Sequence, residues 1–133
     1  MKRAVLIALG DELLSGIRNE GNCSWLAGRL TRAGWRVVCM EILPDEKDSL
    51  SKYLENWVGT ADLLVLSGGL GPTHDDCTRE ALSSYLGVPL DGADSAYDAI
   101  IARYPAEMRL PLEKCRDTQG SVPRGTRAVH NPE

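Results

Sequence analysis

Ala4-Val5-Leu6-Ile7-Ala8-Leu9 is six consecutive apolar residues, closed by Gly10-Asp11-Glu12. A strand with one wet face alternates polar and apolar side chains. An unbroken apolar run implies a strand covered on both faces, as in a parallel sheet. The run is too short for a membrane span or a signal-peptide core, so Met1-Lys2-Arg3 before it is not read as a targeting segment.

Working outward, the same alternation of short apolar runs and helical periods continues. Trp25, Leu26, Leu30 and Ala33 share a helical face that Asn22 can cap and Gly34 ends. Arg36 to Leu43 reads as a second strand closed by Pro44. Leu50, Tyr53, Leu54, Trp57 and Val58 follow the i, i+3, i+4, i+7, i+8 rule, and Gly59 stops that helix. Asp62 to Ser67 is a third strand, and Ala81, Leu82, Tyr85 and Leu86 are the stripe of a third helix ended by Gly87. Tyr97, Ile100, Ile101 and Tyr104 mark a fourth helix between Asp94 and Pro105, and a short strand is expected at Thr126 to His130. Three strand–helix units in succession predict an α/β fold: a parallel sheet with right-handed crossovers and helices on both faces. No linker or repeat interrupts the chain, so one domain over residues 1–133 is expected.

The composition is 43% hydrophobic and 26% charged with a net charge of -4, which disfavours a phosphate-backbone partner. The basic residues Arg103, Arg109, Lys114, Arg116, Arg124 and Arg127 are interleaved with Glu107, Glu113 and Asp117 and read as a solvated surface. Cys23, Cys39, Cys77 and Cys115 form no Cys-x-x-Cys pair, so reduced thiols in a cytoplasmic protein are expected rather than a zinc or redox site. Asn22-Cys23-Ser24 fits a glycosylation pattern that has no secretory context. Trp25, Trp35 and Trp57 are assigned to the core, and His74 and His130 to loop and structural positions.

In an open parallel sheet, ligands bind beyond the carboxyl ends of the strands. That places Gly10 to Gly16, Pro44-Asp45-Glu46 and Gly68-Gly-Leu-Gly-Pro-Thr-His-Asp-Asp76 on one edge. Backbone N–H groups at a glycine-rich strand–helix junction can hold an anion. The stretch is neither Gly-x-Gly-x-x-Gly nor a Walker loop. Thr73, Asp75 and Asp76 equally suit a helix N-terminus, and Asp45, with Asp48 three residues on, suits the cap of the second helix. Two carboxylates beside an anion cradle point further, to Mg²⁺-assisted phosphate chemistry, since Mg²⁺ commonly bridges one or two carboxylates and substrate phosphates.

Gly10-Asp-Glu-Leu-Leu-Ser-Gly16, Asn22-x-x-Trp-Leu-Ala27, Pro44-Asp45 and Gly68-Gly-Leu-Gly-Pro-Thr-His-Asp-Asp-x-Thr-Arg-Glu-Ala81 together resemble the N-terminal domain of the CinA (competence-damage-inducible) family. That domain is similar to the Mog/MoaB molybdenum-cofactor proteins. The resemblance runs from about Val5 to the end of the chain. It implies a three-layer αβα sandwich with a mostly parallel sheet, of the Mog-like molybdopterin-binding type, and a pterin or adenine nucleotide at the strand ends. By the same resemblance Asp45 and Asp76 would be the catalytic carboxylates and would hold Mg²⁺ or another divalent cation. Gly10, Asp11, Ser15, Asn22, Gly68, Gly69, Gly71, Thr73, Asp75 and Thr78 would contact the ligand. A homo-oligomer, dimer or trimer, is expected, with neither nucleic acid nor membrane as partner.

Two departures from the family pattern bear on activity. Asp117-Thr-Gln-Gly120 stands where a basic Arg-Lys-Gln-Ala is usual. His130-Asn-Pro132 resembles the opening of an Asn-Pro-x-Gly-Thr-Ala-Pro-Gly loop, but the sequence stops at Glu133, so the domain is expected to be cut short at its C-terminal end. Three functions follow from the resemblance: a molybdopterin- or nucleotide-binding domain with adenylyltransferase chemistry, a metal-dependent ADP-ribose or dinucleotide pyrophosphatase, and an oligomerising scaffold without the active loop.

Overall fold

The computed structural model describes residues 1–71, 75–92, 98, 101–107 and 119–129. Its elements are β1 (Arg3–Leu9), α1 (Asp11–Leu14), α2 (Asn22–Arg32), β2 (Arg36–Leu43), α3 (Lys47–Trp57), β3 (Leu63–Ser67), α4 (Thr78–Leu86), β4 (Leu90–Gly92) and β5 (Ser121–Pro123). The three long strands form a parallel sheet in the order β2-β1-β3, so the apolar run is the central strand.

The reason β1 carries no polar residue after Arg3 is visible in its packing. Val5, Ile7 and Leu9 enter one core with Leu50 and Leu54 of α3 and Ala81 of α4. Leu6 and Ala8 enter a second core with Cys23, Leu26 and Leu30 of α2. The sheet therefore lies between α2 on one face and α3 with α4 on the other, and the expected three-layer α/β sandwich is present. Full burial of each Leu or Ile side chain stabilises by about 1.5–3 kcal/mol, so a charge at any position from Val5 to Leu9 would disrupt the layer that position faces. The expected bounds 4–9, 36–43 and 62–67 agree with the strands to within one residue.

Several expectations are corrected. Residues 126–129 are not a strand; β5 lies at Ser121–Pro123 and pairs antiparallel with β4. A turn follows β5 at Arg124 and Gly125 (φ +85°), and Thr126 closes it by donating from both N–H and Oγ1 to the Pro123 carbonyl. Within the Gly10 to Gly16 segment, to which no element was assigned, Asp11–Leu14 coils into a helical turn. Trp25 is not core: it is 65% exposed, with the Arg29 guanidinium 5.3 Å from its ring. Trp35 and Trp57 are half-buried. Of the helix expected over 94–104, Asp98 and Ile101 are helical and 102–104 form a turn. The rest of that helix lies outside the described residues, as do Thr73, His74, Cys115, Asp117 and His130. Among the described residues no helix is long and apolar enough to cross a membrane.

Asn22 is not the cap of α2. It is the first helical residue, and its side chain turns to β3, where Nδ2 donates to Ser67 Oγ at 3.0 Å. Glu20 performs the capping: its carboxylate accepts from the N–H of Cys23 (2.5 Å) and of Ser24 (3.1 Å). Burial alone would raise the Glu20 carboxyl, but these two N–H donors outweigh it and hold it below its usual range. Burial first, and then Glu20, pushes the Cys23 thiol up to about 11. A carboxylate held low stabilises the fold above its unfolded pKa and stops doing so as the pH falls through the folded value. Replacing Glu20 by Ala is therefore expected to cost about 1 kcal/mol at neutral pH. In denaturant titrations followed by circular dichroism, that gap should close below about pH 4.

Candidate functional site

The strand ends converge as the parallel topology requires. Gly10 donates its N–H to the Leu43 carbonyl at 3.1 Å, tying the end of β1 to the end of β2. Asp11 and Asp45 then face each other: Asp11 N–H donates to Asp45 Oδ2 at 3.3 Å, and Asp45 N–H donates to Asp11 Oδ1 at 3.4 Å. The capping role considered for Asp45 is not taken up. Glu46 stands at the N-cap of α3 in extended conformation without a side-chain cap bond, while the Asp45 carboxylate turns to the strand ends.

The Gly68 to Gly71 loop is held from behind by α4. Thr78, fully buried, donates from Oγ1 to the Gly68 carbonyl at 2.9 Å and from N–H to the Gly69 carbonyl at 3.2 Å. Arg79 donates to the Leu70 carbonyl at 2.9 and 2.7 Å and to the Gly71 carbonyl at 3.3 Å. In a trans peptide the N–H points opposite to the C=O. With their carbonyl partners drawn toward α4, the N–H groups of Gly69, Leu70 and Gly71 point away from it, and no described residue accepts from them. Such a row of outward N–H groups, braced from a sequence-distant helix, is of the kind that can hold an anion.

The loop touches the carboxylates. A Cβ on Gly69 would lie 3.5 Å from Asp45 Oδ1 and 2.3 Å from Thr78 Oγ1, and one on Gly71 would lie 2.6 Å from Asp76 Oδ2. The structure thus brings Asp11, Asp45 and Asp76 to one edge, together with Glu12. Asp45 Oδ1 is buried and has no hydrogen-bond partner among the described residues. Burial raises the Asp45 carboxyl above its usual range; the Asp11 N–H opposes this, and the charges of Asp11, Glu12 and Asp76 reinforce it.

The remaining expected residues divide. Ser15 caps α1 and gives its hydroxyl to the Glu12 carbonyl at 3.3 Å, away from the carboxylates. Thr78 braces the loop, Asn22 reaches Ser67, and Asp75 stands in the turn before Asp76. Neither Asp75 nor Asp76 is the N-cap of α4, a position held by Cys77. The Cys77 thiol is pushed up by burial and then by Asp45. The sequence reading missed Glu12, Ser67 and Arg79. Their signals were present as neighbours of named residues, but a side chain that serves a backbone carbonyl leaves no spacing pattern.

Hard carboxylate oxygens of this kind could contribute to holding a divalent cation. The unpartnered Asp45 oxygen is an unused donor in a cluster of like charge. Among the described residues no three His, Cys, Asp or Glu side chains form a cage. A cation here would therefore need water or ligand oxygens to complete its coordination. Because the raised Asp45 carboxyl disfavours its ionised form, the native state loses stability as pH rises through the folded pKa and regains it on acidification. Asp45→Asn is therefore expected to melt higher than the parent at pH 7, by a margin that closes toward about pH 4. Differential scanning calorimetry at both pH values checks this, and an unchanged or lower melting temperature at pH 7 contradicts it.

Comparison with known proteins bears on the family and the fold. Residues 5–128 match the family model described as a probable molybdopterin binding domain. A CinA-like protein of Thermosipho melanesiensis is 34% identical over 132 residues, covering 99% of this chain and 33% of its own length. One from Salinibacter ruber is 32% identical over 98% of this chain and 31% of its own. The chain spans about a third of the length of these curated relatives. The crystal structure of CinA from Thermoplasma acidophilum superposes with a TM-score of 0.85 at 29% identity, covering 98% of this chain and 76% of that one. The molybdopterin biosynthesis enzyme MoaB of Thermus thermophilus shares the fold, with a TM-score of 0.55 at 22% identity over 91% of this chain and 73% of its own. The chain belongs to the molybdopterin-binding domain family and within it is similar to the CinA-like proteins.

Proposed function

We propose that this chain binds the phosphate end of a pterin or adenine nucleotide on the Gly69–Gly71 amides and works at phosphorus with a divalent cation between Asp45 and Asp76. The observation that carries this reading is the buried, unpartnered Asp45 Oδ1 facing the glycine loop inside a cluster of carboxylates. A phosphate on the cradle would meet the negative charges of Asp11, Glu12, Asp45 and Asp76, and only an intervening cation reconciles the two.

The chain's own residues have separable tasks in this reading. Gly69, Leu70 and Gly71 hold the phosphoryl oxygens by their N–H groups, where preorganised donors favour developing charge. Thr78 and Arg79 keep that loop rigid from behind. Asp45 and Asp76 would hold the cation, which supplies Lewis-acid stabilisation of the phosphoryl oxygens. Asp11 fixes the Asp45 carboxylate through its N–H. Transfer to a pterin phosphate and hydrolysis of a dinucleotide diphosphate such as ADP-ribose share this apparatus and differ in the attacking oxygen.

Asp76→Asn tests the reading because it keeps the shape and removes the charge. Turnover of ATP with molybdopterin, or of ADP-ribose, each with and without Mg²⁺, is expected to fall about a hundredfold or more, with the melting temperature little changed. If Asp76→Asn turns over either substrate as fast as the parent, Asp76 has no part in the chemistry and the reading fails.

A further inference from the structure

The two free edges of the parallel sheet differ in kind. β2 and β3 flank β1, and among the described residues no strand pairs with the outer side of either. An unpaired edge is a template for another chain, and folds blunt it with charge, proline or a bulge. β2 is blunted. Its register against β1 shifts between Ala4 and Val5, and Arg36 and Glu41 put charge into the strand. The Glu41 carboxylate turns inward to α3, accepting from Tyr53 Oη at 2.8 Å and from Cys39 Sγ at 3.7 Å.

β3 has none of these devices. Leu63-Leu64-Val65-Leu66-Ser67 carries no charge and no proline, and its register with β1 is unbroken. Leu64 and Leu66 join the core under α3 and α4, and Val65 joins the core under α2. Apolar side chains on both faces are the mark of an interior strand. Beside β3 lies a cavity of about 310 Å³, lined by Asn22, Cys23, Trp25 and Leu26 of α2 and by Val65 and Ser67. An apolar space of about 150 Å³ holds a benzene ring, so this one admits an indole. Trp25, largely exposed, stands at its rim, and the Asn22–Ser67 bond marks the end nearest the glycine loop.

We propose that β3 pairs edge to edge with β3 of a second copy of this chain, antiparallel about a twofold axis at Val65, to give one six-stranded sheet. Three features select a second copy as the partner. Twofold pairing sets Leu63 opposite Ser67 and Leu64 opposite Leu66, so the like charges that symmetry would bring face to face are absent. An axis perpendicular to the sheet keeps both α2 helices on one face, so Trp25 of each copy approaches the cavity of the other. The assembly then exposes only the two β2 edges, which are the blunted ones. None of this depends on the phosphate reading above.

Light scattering and analytical ultracentrifugation over a concentration series, with hydrogen–deuterium exchange of the Leu63–Ser67 amides, test the pairing. The parent is expected to form a dimer, and the β3 amides to exchange more slowly as concentration rises. Trp25→Glu puts a charge into the paired face and gains an i, i+4 partner in Arg29 on the same helix. Its circular dichroism spectrum should match the parent's, and its dimer should be weaker by about tenfold or more. Met40→Glu, at an exposed position on β2, should dimerise as the parent does. If a variant fails to fold, the exchange measurement on the parent decides the matter. The pairing is overturned by a monomer at every concentration, or by a trimer, since one edge paired with itself closes at two copies. It is equally overturned if the β3 amides exchange at a rate independent of concentration, if folded Trp25→Glu associates as tightly as the parent, or if Met40→Glu weakens the dimer as much as Trp25→Glu.

Discussion

The carbonyl of Leu9 leaves space for only a hydrogen at position 68. A Cβ built on Gly68 would lie 2.1 Å from that oxygen, and the Gly68 backbone, at φ +106°, is one that side chains rarely tolerate. This close approach lets the chain leaving β3 cross the end of β1 without a gap. The glycine loop then settles beside Asp45 at the end of β2, and α4 follows at a distance where Thr78 and Arg79 reach back to the loop carbonyls. A larger residue at 68 would separate the ends of β1 and β3, and the anion cradle and the carboxylates would part with them.

The arrangement holds a conflict between stability and chemistry in one side chain. Asp45 is partly desolvated, one of its oxygens has no partner among the described residues, and three other carboxylates raise its pKa. The start of α3 does not use it, because the helix begins at Lys47 with Glu46 at its N-cap and no side-chain cap bond. A fold selected for stability alone would place a neutral residue there. The strain in charge is concentrated where a cation and an anionic ligand would relieve it, which is the pattern expected of a site rather than of a cap.

Those parts of the structure that depend on burial were legible in the sequence. β1 announced itself because six apolar residues in a row have one explanation in a short strand, and α3 because its stripe repeats with helical period. Asp45 and Asp76 were legible by position at strand ends, though not by identity, since Asp serves caps and sites alike. The errors have a common physical source. Asn22 and Ser67, Glu20 and the α2 N-terminus, and Arg79 and the loop carbonyls are all polar pairings that depend on three-dimensional approach and leave no periodicity. Trp25 failed for a related reason: its helical spacing was right, but a neighbouring Arg29 lets the ring stay at the surface. β5 was misplaced because a three-residue strand ending in Pro123 carries almost no pattern of its own.

The exchange of roles between Glu20 and Asn22 links these errors to function. Either residue type can satisfy the first N–H groups of a helix, and Asn at the helix start is the more usual choice. Here the glutamate two residues earlier reaches forward to Cys23 and Ser24, and Asn22 is released from the helix it begins. Its amide then crosses to Ser67 on the neighbouring strand, joining α2 to the end of β3 at the cavity wall. Had Asn22 capped its own helix, Ser67 would face the cavity without that partner and the helix N-terminus would have favoured an anion. The local electrostatics of one helix end thus set which side chains line the adjoining space.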